Sequence, residues 1–478
     1  MNLVKKLTLI ICLCHPLPGY GQVQLMLPSD SALTHASLSV YVADVNTGEP
    51  VLYYDPDRSL TPASILKLVT SATALELLGP DHTFATEFGY TGKIRHGKLD
   101  GDIIIKGGGD PAFASPYFPQ FYTDFPDKWI SAVRHSGIKR VTGRVVTDDS
   151  WFDYLPVPSK WLWEDAGNYY GAGVYGASVY DNTYEIHFRT FSDSAKPQIT
   201  GIIPDECRFN LVNGLVSYGN TDQGYIFAAP YSSDGWITGS IPENNADFVL
   251  DASIPDPPLV LSKIIDKNLR SAGIRLREKP TTARLLGPSW RTDYQMTSFS
   301  SITSPALSDI IEVLNHESVN LYAETFLKEL GKEFAGTGST DAGINVVRGF
   351  LDSIGIAKEG MNIVDGSGLS PMNSVTAWGM TYLLIHMIHS SNFEYYLNSL
   401  PEAGKEGTLK NYFHDVAFNS VMRAKSGSMT RVRSYAGYIT ARSGRKMAFC
   451  MIANDFSGPS RHIVSIFEGI LKDIILNN

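Results

Sequence analysis

The chain has 478 residues, 43% of them hydrophobic and 19% charged, and a formal net charge of −9. That length calls for two or three domains, and that composition is ordinary for a folded, water-soluble chain. The acidic balance argues against a general nucleic-acid or anionic-membrane binder. At the N-terminus, Lys5 and Lys6 precede the apolar run Leu7 to Cys14, and small residues follow at Gly19 and Gly21. This is the pattern of an export signal, so residues 1–21 are expected to be removed near Gly21. The run is too short to span a bilayer, and no longer one follows, so membrane association is at most peripheral. Leu13 is bulky for the position before a lipidated cysteine, which disfavours a lipid on Cys14. The mature chain keeps Cys207 and Cys450. An oxidising compartment leaves one disulfide open to them, but at this size two separated cysteines are more often unpaired core residues.

Residues 38–55 read as a β-hairpin: alternating Leu38 to Val45, a turn at Asn46-Thr47-Gly48, and a return at Val51 to Tyr54. A helix follows, with Thr61 as its cap, Pro62 in the first helical position, apolar residues to Leu78 and Gly79 just beyond. From about 90 to 290 the chain changes character, with short strand-like runs, many turn residues and many aromatics. Helical patterns resume at 305–333 and 374–390. Three strands are predicted within 421–454 (Val421 to Met429, Ser434 to Ala441, Lys446 to Asn454), then an amphipathic helix at 461–476 that packs on a sheet. The order implies an α/β (α+β) domain, residues 22–88 and 290–478, split by a mostly β insert at 89–289.

Three short patterns carry chemistry. Ser64-Ile65-Leu66-Lys67 puts a hydroxyl and an amine on one helix face, in the first turns, where the helix dipole favours anions. A serine hydroxyl is a weak nucleophile until a base takes its proton, and a neutral lysine can do so. Alone the pattern is weak, since Ser443-Gly444-Arg445-Lys446 has the same form in a hairpin turn. Ser318-Val319-Asn320, before an apolar helix, offers a hydroxyl and an amide to one cleft, and Ser390-Ser391-Asn392 is a look-alike. Lys425-Ser426-Gly427 lies on a predicted strand, where a cation, a hydroxyl and a small residue suit an extended acyl-peptide carboxylate.

Together, in this order and on helix, loop and strand, the three resemble the Ser-x-x-Lys, Ser-x-Asn and Lys-Thr/Ser-Gly set of β-lactamases and penicillin-binding proteins. Within that superfamily the chain is similar to the class C low-molecular-weight penicillin-binding proteins, peptidase family S13. The span between Ser64 and Ser318 accommodates that family's large insert. Asp365-Gly-Ser-Gly-Leu-Ser370 and Gly108-Gly109-Asp110-Pro111 match two further family stretches.

The resemblance covers essentially the whole mature chain. It implies a split serine β-lactamase/transpeptidase-like domain, an antiparallel sheet flanked by helices, with a β-rich insert forming one or two extra domains. It also implies a periplasmic serine D-alanyl-D-alanine carboxypeptidase, with endopeptidase action open, acting on peptidoglycan stem peptides and acylated by β-lactams, with no cofactor. Ser64 would be the nucleophile and Lys67 its base. Ser318 would relay a proton, Asn320 would hold the substrate amide, and Lys425 would set the electrostatics around Ser318. Ser426 and Gly427 would receive the substrate, with backbone N–H groups of Ser64 and Ser428 as oxyanion hole. Asp165 and Tyr170 fall where the family reads the side-chain end of the substrate, so Asp165 would meet a free ammonium there. Close relatives often carry arginine after Asp-Gly-Ser-Gly-Leu-Ser. Here Pro371 stands, so any carboxylate recognition by that arginine is absent or supplied elsewhere.

Other candidates fare worse. His386 and His389 are spaced i, i+3 but have no third ligand nearby, so no metal is expected. Ser367 lacks the Gly-x-Ser-x-Gly elbow, and no phosphate loop or dinucleotide fingerprint occurs. Two rival functions remain: a β-lactamase, which would turn penicillin over, and a catalytically idle protein binding peptidoglycan or β-lactams. Release of D-alanine from a pentapeptide separates them.

Overall fold

The computed structural model describes residues 23–24, 30–288, 290, 294–356 and 358–478. The expected export signal, with Cys14, lies outside them. The chain forms two compact units. One comprises the chain up to Pro80 with Ile311–Val319 and Ile344–Asn478; the other comprises Asp81–Ile310 and Asn320–Gly343.

The first unit is built on one sheet, in the spatial order Val23–Gln24, Pro50–Tyr54, Ser37–Asp44, Lys446–Asn454, Val432–Thr440, Met422–Met429. Every pair is antiparallel except the first. The hairpin forms where the sequence predicts it, because the Asp44 carboxylate accepts from the N–H groups of Asn46 (2.8 Å) and Thr47 (3.1 Å) and so closes the turn. Alternate residues of the central strands face opposite sides, and both sides are covered. On one, the helix Ser460–Asn477 packs Ile463, Phe467 and Leu471 with Tyr435, Phe449 and Met451. On the other, the helix Ala377–Ile388 lies against Ser37–Asp44 and Lys446–Asn454. Met422–Met429 is left as an edge strand.

Among the described residues the second unit holds four smaller sheets, the largest running Thr281–Thr282, Val145–Asp148, Ile103–Lys106, Ala85–Tyr90, Thr297–Thr303. Helices Phe125–His135 and Pro257–Ser271 pack with this unit's strands, the latter capped by Asp256 accepting from the Leu259 N–H at 3.3 Å. The expected insert, 89–289, lies inside this unit, which also takes in 81–88, 290–310 and the largely buried helix Asn320–Ala335. Cys207 and Cys450 are free, buried thiols, and burial pushes both well above the usual thiol range. Among the described residues no helix is long and apolar enough to cross a membrane.

Candidate active site

Ser64 stands in a 3-10 turn, Ala63–Leu66, that runs into the α-helix Lys67–Leu77. The sequence predicts an α-helix capped by Thr61. Instead, the Thr61 hydroxyl donates to the Pro371 carbonyl at 3.3 Å, and no side chain caps the turn. Ala63 takes a φ of 49°, a costly backbone state for alanine. The tighter turn eclipses residues three apart. Lys67, with 0% of its surface exposed, therefore sets its Nζ 2.9 Å from Ser64 Oγ.

Lys67 Nζ also donates to the Ser367 carbonyl at 2.8 Å. That carbonyl is aimed by the Asp365 loop. The buried Asp365 carboxylate accepts from the N–H of Gly368 (2.8 Å), the N–H of Ser370 (2.7 Å) and Asn373 Nδ2 (2.8 Å). Thr70 ties the helix to the same loop through the Gly366 carbonyl at 2.6 Å. Glycine is required at 368: φ is 80°, and a Cβ there would stand 2.0 Å from the Ala63 carbonyl oxygen. Ser367 thus contributes its backbone to the lysine.

Lys425 enters from the edge strand. It is fully buried and donates to Ser318 Oγ at 2.9 Å and to the Ser426 carbonyl at 3.0 Å. Burial pushes its ammonium well below the usual lysine range; the positive charges of Lys67 and Arg433 push the same way, and Glu317 opposes them. Ser318 itself sits at a φ of 62°, between helices Leu307–Glu317 and Asn320–Ala335. A strained serine at a helix junction is the kind of outlier that marks a functional site. Gly427 lets the edge strand close on the nucleophile: a Cβ there would lie 2.6 Å from the Pro62 oxygen and 3.0 Å from the Ser64 nitrogen. Ser426 donates to Thr408 Oγ1 at 2.8 Å, and Ser428 is exposed just beyond.

So Ser64, Lys67, Ser318, Lys425, Ser426 and Gly427 come together within the first unit. Asn320 belongs to the second unit, where its Nδ2 donates to the Tyr170 carbonyl at 2.8 Å. That bond ties it to the segment carrying Asp165. Asp165 is 8% exposed, and burial raises its carboxyl to about 6, helped by the Glu164 charge and opposed by hydrogen bonds from the Leu162 backbone and Tyr170. Two residues along the helix from Asn320, the buried Tyr322 hydroxyl donates to Asp181 at 2.8 Å and lies 3.0 Å from Ser115 Oγ. Tyr322, Asp181, Thr408 and Arg433 are not singled out by the sequence, because their partners are far along the chain. Asp365 was visible only as a motif letter.

The look-alikes have other partners. Ser390 donates to Glu76, and the His386 ring meets Phe350 edge-on at 5.9 Å. Among the described residues no group of metal-ligating side chains forms.

The sequence profile of the D-Ala-D-Ala carboxypeptidase 3 (S13) family matches residues 22–465. The chain belongs to that family. A D-alanyl-D-alanine carboxypeptidase of Actinomadura sp. (strain R39) is 30% identical over 453 residues, covering 90% of this chain and 80% of the relative. The D-alanyl-D-alanine carboxypeptidase DacB of Haemophilus influenzae is 22% identical over 460 residues, covering 92% and 90%. The crystal structure of penicillin binding protein 4 from Haemophilus influenzae superposes with a TM-score of 0.79 at 20% identity, covering 92% of this chain and 97% of that one. The S13 fold is thus shared along nearly the whole described chain. At Pro371 this S13 protein supplies a backbone carbonyl to Thr61 and no charge.

Proposed function

We propose that this S13 protein is an exported, periplasmic serine-type D-alanyl-D-alanine carboxypeptidase that acts on peptidoglycan stem peptides and is acylated by β-lactams. The observation that carries the reading is the pair of buried amine–hydroxyl contacts, Lys67 Nζ to Ser64 Oγ and Lys425 Nζ to Ser318 Oγ, each 2.9 Å. Ser64 Oγ attacks the carbonyl carbon of the penultimate D-alanine and its proton passes to Lys67 Nζ. The oxyanion is received by the backbone N–H groups of Ser64 and Ser428, on the start of the helix and on the edge strand. As the C–N bond breaks, Ser318 Oγ, held by Lys425, hands its proton to the leaving D-alanine nitrogen and takes in exchange the proton that Lys67 accepted, so Lys67 is neutral again. Water then hydrolyses the Ser64 ester, Lys67 again taking the proton.

Asn320 steadies the substrate amide, and Ser426 and Gly427 seat the terminal residue along the edge strand. Asp165, walled by Tyr170, receives a side-chain ammonium. The same chemistry on a cross-linked D-alanyl bond would be endopeptidase action.

The test is twofold. Labelled penicillin followed by peptide mapping should place the label on Ser64, and the protein should release D-alanine from a pentapeptide. Label on Ser367 or Ser443 sinks the nucleophile assignment. Rapid turnover of penicillin favours a β-lactamase, and stable acylation without D-alanine release favours a β-lactam-binding protein.

A further inference from the structure

Arg433 is a guanidinium buried beside the edge strand and, among the described residues, in no ion pair with a carboxylate, although the Glu468 charge acts on the neighbouring Tyr435 hydroxyl. It sits on Val432–Thr440, across the ladder from Ser428, and only 6% of its surface is exposed. Ser426 pairs in the same ladder with Tyr435. Facing residues, and those two along, share one side of a sheet. Arg433, Tyr435, Ser426 and Ser428 therefore line one side of the two strands, while Lys425 and Gly427 lie on the other. The guanidinium lies 4.7 Å from the centre of the Tyr412 ring and 4.8 Å from that of Tyr435. Its Nε donates to the Tyr435 hydroxyl at 2.9 Å, and Nη2 donates to the same oxygen. Among the described residues Nη1 has no acceptor and no acid forms an ion pair with this arginine.

A buried cation is unfavourable unless a counter-charge or a full set of hydrogen bonds offsets it, and ring stacking does so only in part. Here a second buried cation stands within its field, since Arg433 depresses the Lys425 ammonium. Two desolvated cations bracket the edge strand, one from each side. Between them is Ser426, whose hydroxyl is held by Thr408, four residues before the Tyr412 that stacks on the arginine. The loop position at Pro371 brings no charge. Such a cluster is completed by an anion at the strand edge, and a planar guanidinium fork suits a carboxylate.

We infer that Arg433 is the counter-cation for the terminal α-carboxylate of the D-alanyl peptide, acting with the Ser426 hydroxyl from beneath the edge strand. The inference rests on the carboxypeptidase reading and adds to it the residue that selects a free C-terminus.

The experiment compares a pentapeptide ending in a free carboxylate with the same peptide ending in a carboxamide, on wild type, Arg433→Gln and Arg433→Lys. In Arg433→Gln, kcat/KM on the acid should fall about ten- to a hundredfold, the scale of a charge-assisted hydrogen bond, chiefly through KM. On the amide it should change by less than about threefold, and Arg433→Lys should recover part of the preference. Melting temperatures are read first. If Arg433→Gln does not fold, Arg433→Met, which keeps the apolar stem, takes its place. If neither folds, the wild type decides, and equal use of acid and amide overturns the inference. Equal losses on both peptides in a folded variant also overturn it. A wild type that releases no D-alanine brings down the carboxypeptidase reading itself, and the inference with it. D-alanine release with an unaltered acid-to-amide ratio in the variants brings down the inference alone.

Discussion

In the first unit the two reactive serine hydroxyls are each held by a buried lysine, Lys67 and Lys425, with the buried Arg433 on the far side of the edge strand and Asp365 as the buried carboxylate of the supporting loop. In the second, several buried carboxylates are tied to tyrosines and backbone N–H groups, and Lys328 is a buried amine paired with Asp153. Asp110 and Asp149 are 1% and 2% exposed, and burial raises each to about 7. Asp165 and Asp181 are raised to about 6, again chiefly by burial. The physics is the same in both units and the consequence is opposite. Desolvation favours the neutral form of either group. For an amine the neutral form is a base, which is what an acyl-transfer site needs. For a carboxyl it is a hydrogen-bonding acid, which suits a scaffold. Removing a charged group should therefore alter rates in the first unit and pH-dependent stability or substrate choice in the second.

The sharpest break comes at Lys67. Lys67→Arg keeps the charge but cannot act as a base near neutral pH. Acylation by penicillin should fall by about two to four orders of magnitude with the fold intact. A time course of labelled-penicillin incorporation checks this, and near-normal acylation would end the assignment. The contrasting change in the second unit is Asp165→Ala. On a diaminopimelate pentapeptide it should lower kcat/KM about ten- to a hundredfold, and it should leave penicillin acylation nearly unchanged. Because the carboxyl titrates at about 6, it is neutral below that pH and charged above it. Preference for the ammonium-bearing peptide over a neutral analogue should therefore grow as pH rises through about 6. A flat preference from pH 5 to 8 would mean that Asp165 supports the fold instead.

Gly427→Ala tests how closely the first unit is built. The new methyl would meet Ser434 Oγ and the backbone of Pro62 and Ser64 at 2.3–3.0 Å. Two of those atoms are backbone and cannot swing away. The expected cost is about 1–3 kcal/mol of stability, as for other overpacked sites. Denaturant unfolding measures it, and a neutral result would mean that the strand can shift outward freely.

What was legible in the sequence follows from this contrast. The reactive cluster is written locally: Ser64 and Lys67 lie one turn apart, and Lys425 to Gly427 lie on a single strand, so type and spacing carry the message. The hairpin, the meander and the last helix were readable for the same reason, periodicity over a short window. The first turn of the nucleophile helix was misread, because Thr61 looked like a cap while its hydroxyl was claimed by Pro371, a residue far along the chain. Arg433 reads as one more strand residue until the fold stacks it on Tyr412. Asp181 and Tyr322 carry no shared signal, and only the second unit's tertiary structure makes them partners. Long-range polar pairing has no period, so sequence patterns do not report it.

The most direct test of the second unit is a titration. Asp110 lies in the Gly-Gly-Asp-Pro turn, and its carboxylate accepts from the Tyr122 hydroxyl and the Ala112 N–H, at 2.8 Å and 2.9 Å. Those bonds favour the charged form, yet burial outweighs them and lifts the carboxyl from 3.8 to about 7. Between those values the folded protein binds a proton at this site that the unfolded chain has released. Stability from this group is thus fully present below about pH 4 and is lost as pH rises toward 7, at no more than about 1.4 kcal/mol per pH unit. Asp110→Asn keeps the shape and a carbonyl acceptor but has nothing to titrate. The asparagine protein should therefore gain on the wild type steadily from pH 4 to 7 and run parallel to it above pH 8. Asp149 and Asp165 titrate in both proteins and largely cancel in the difference. Asp181 cancels less completely, since its charge bears on Asp110. Urea unfolding at four pH values gives the comparison. Parallel curves across the whole range would mean that Asp110 stays charged in the folded state, its two hydrogen bonds having overcome its burial.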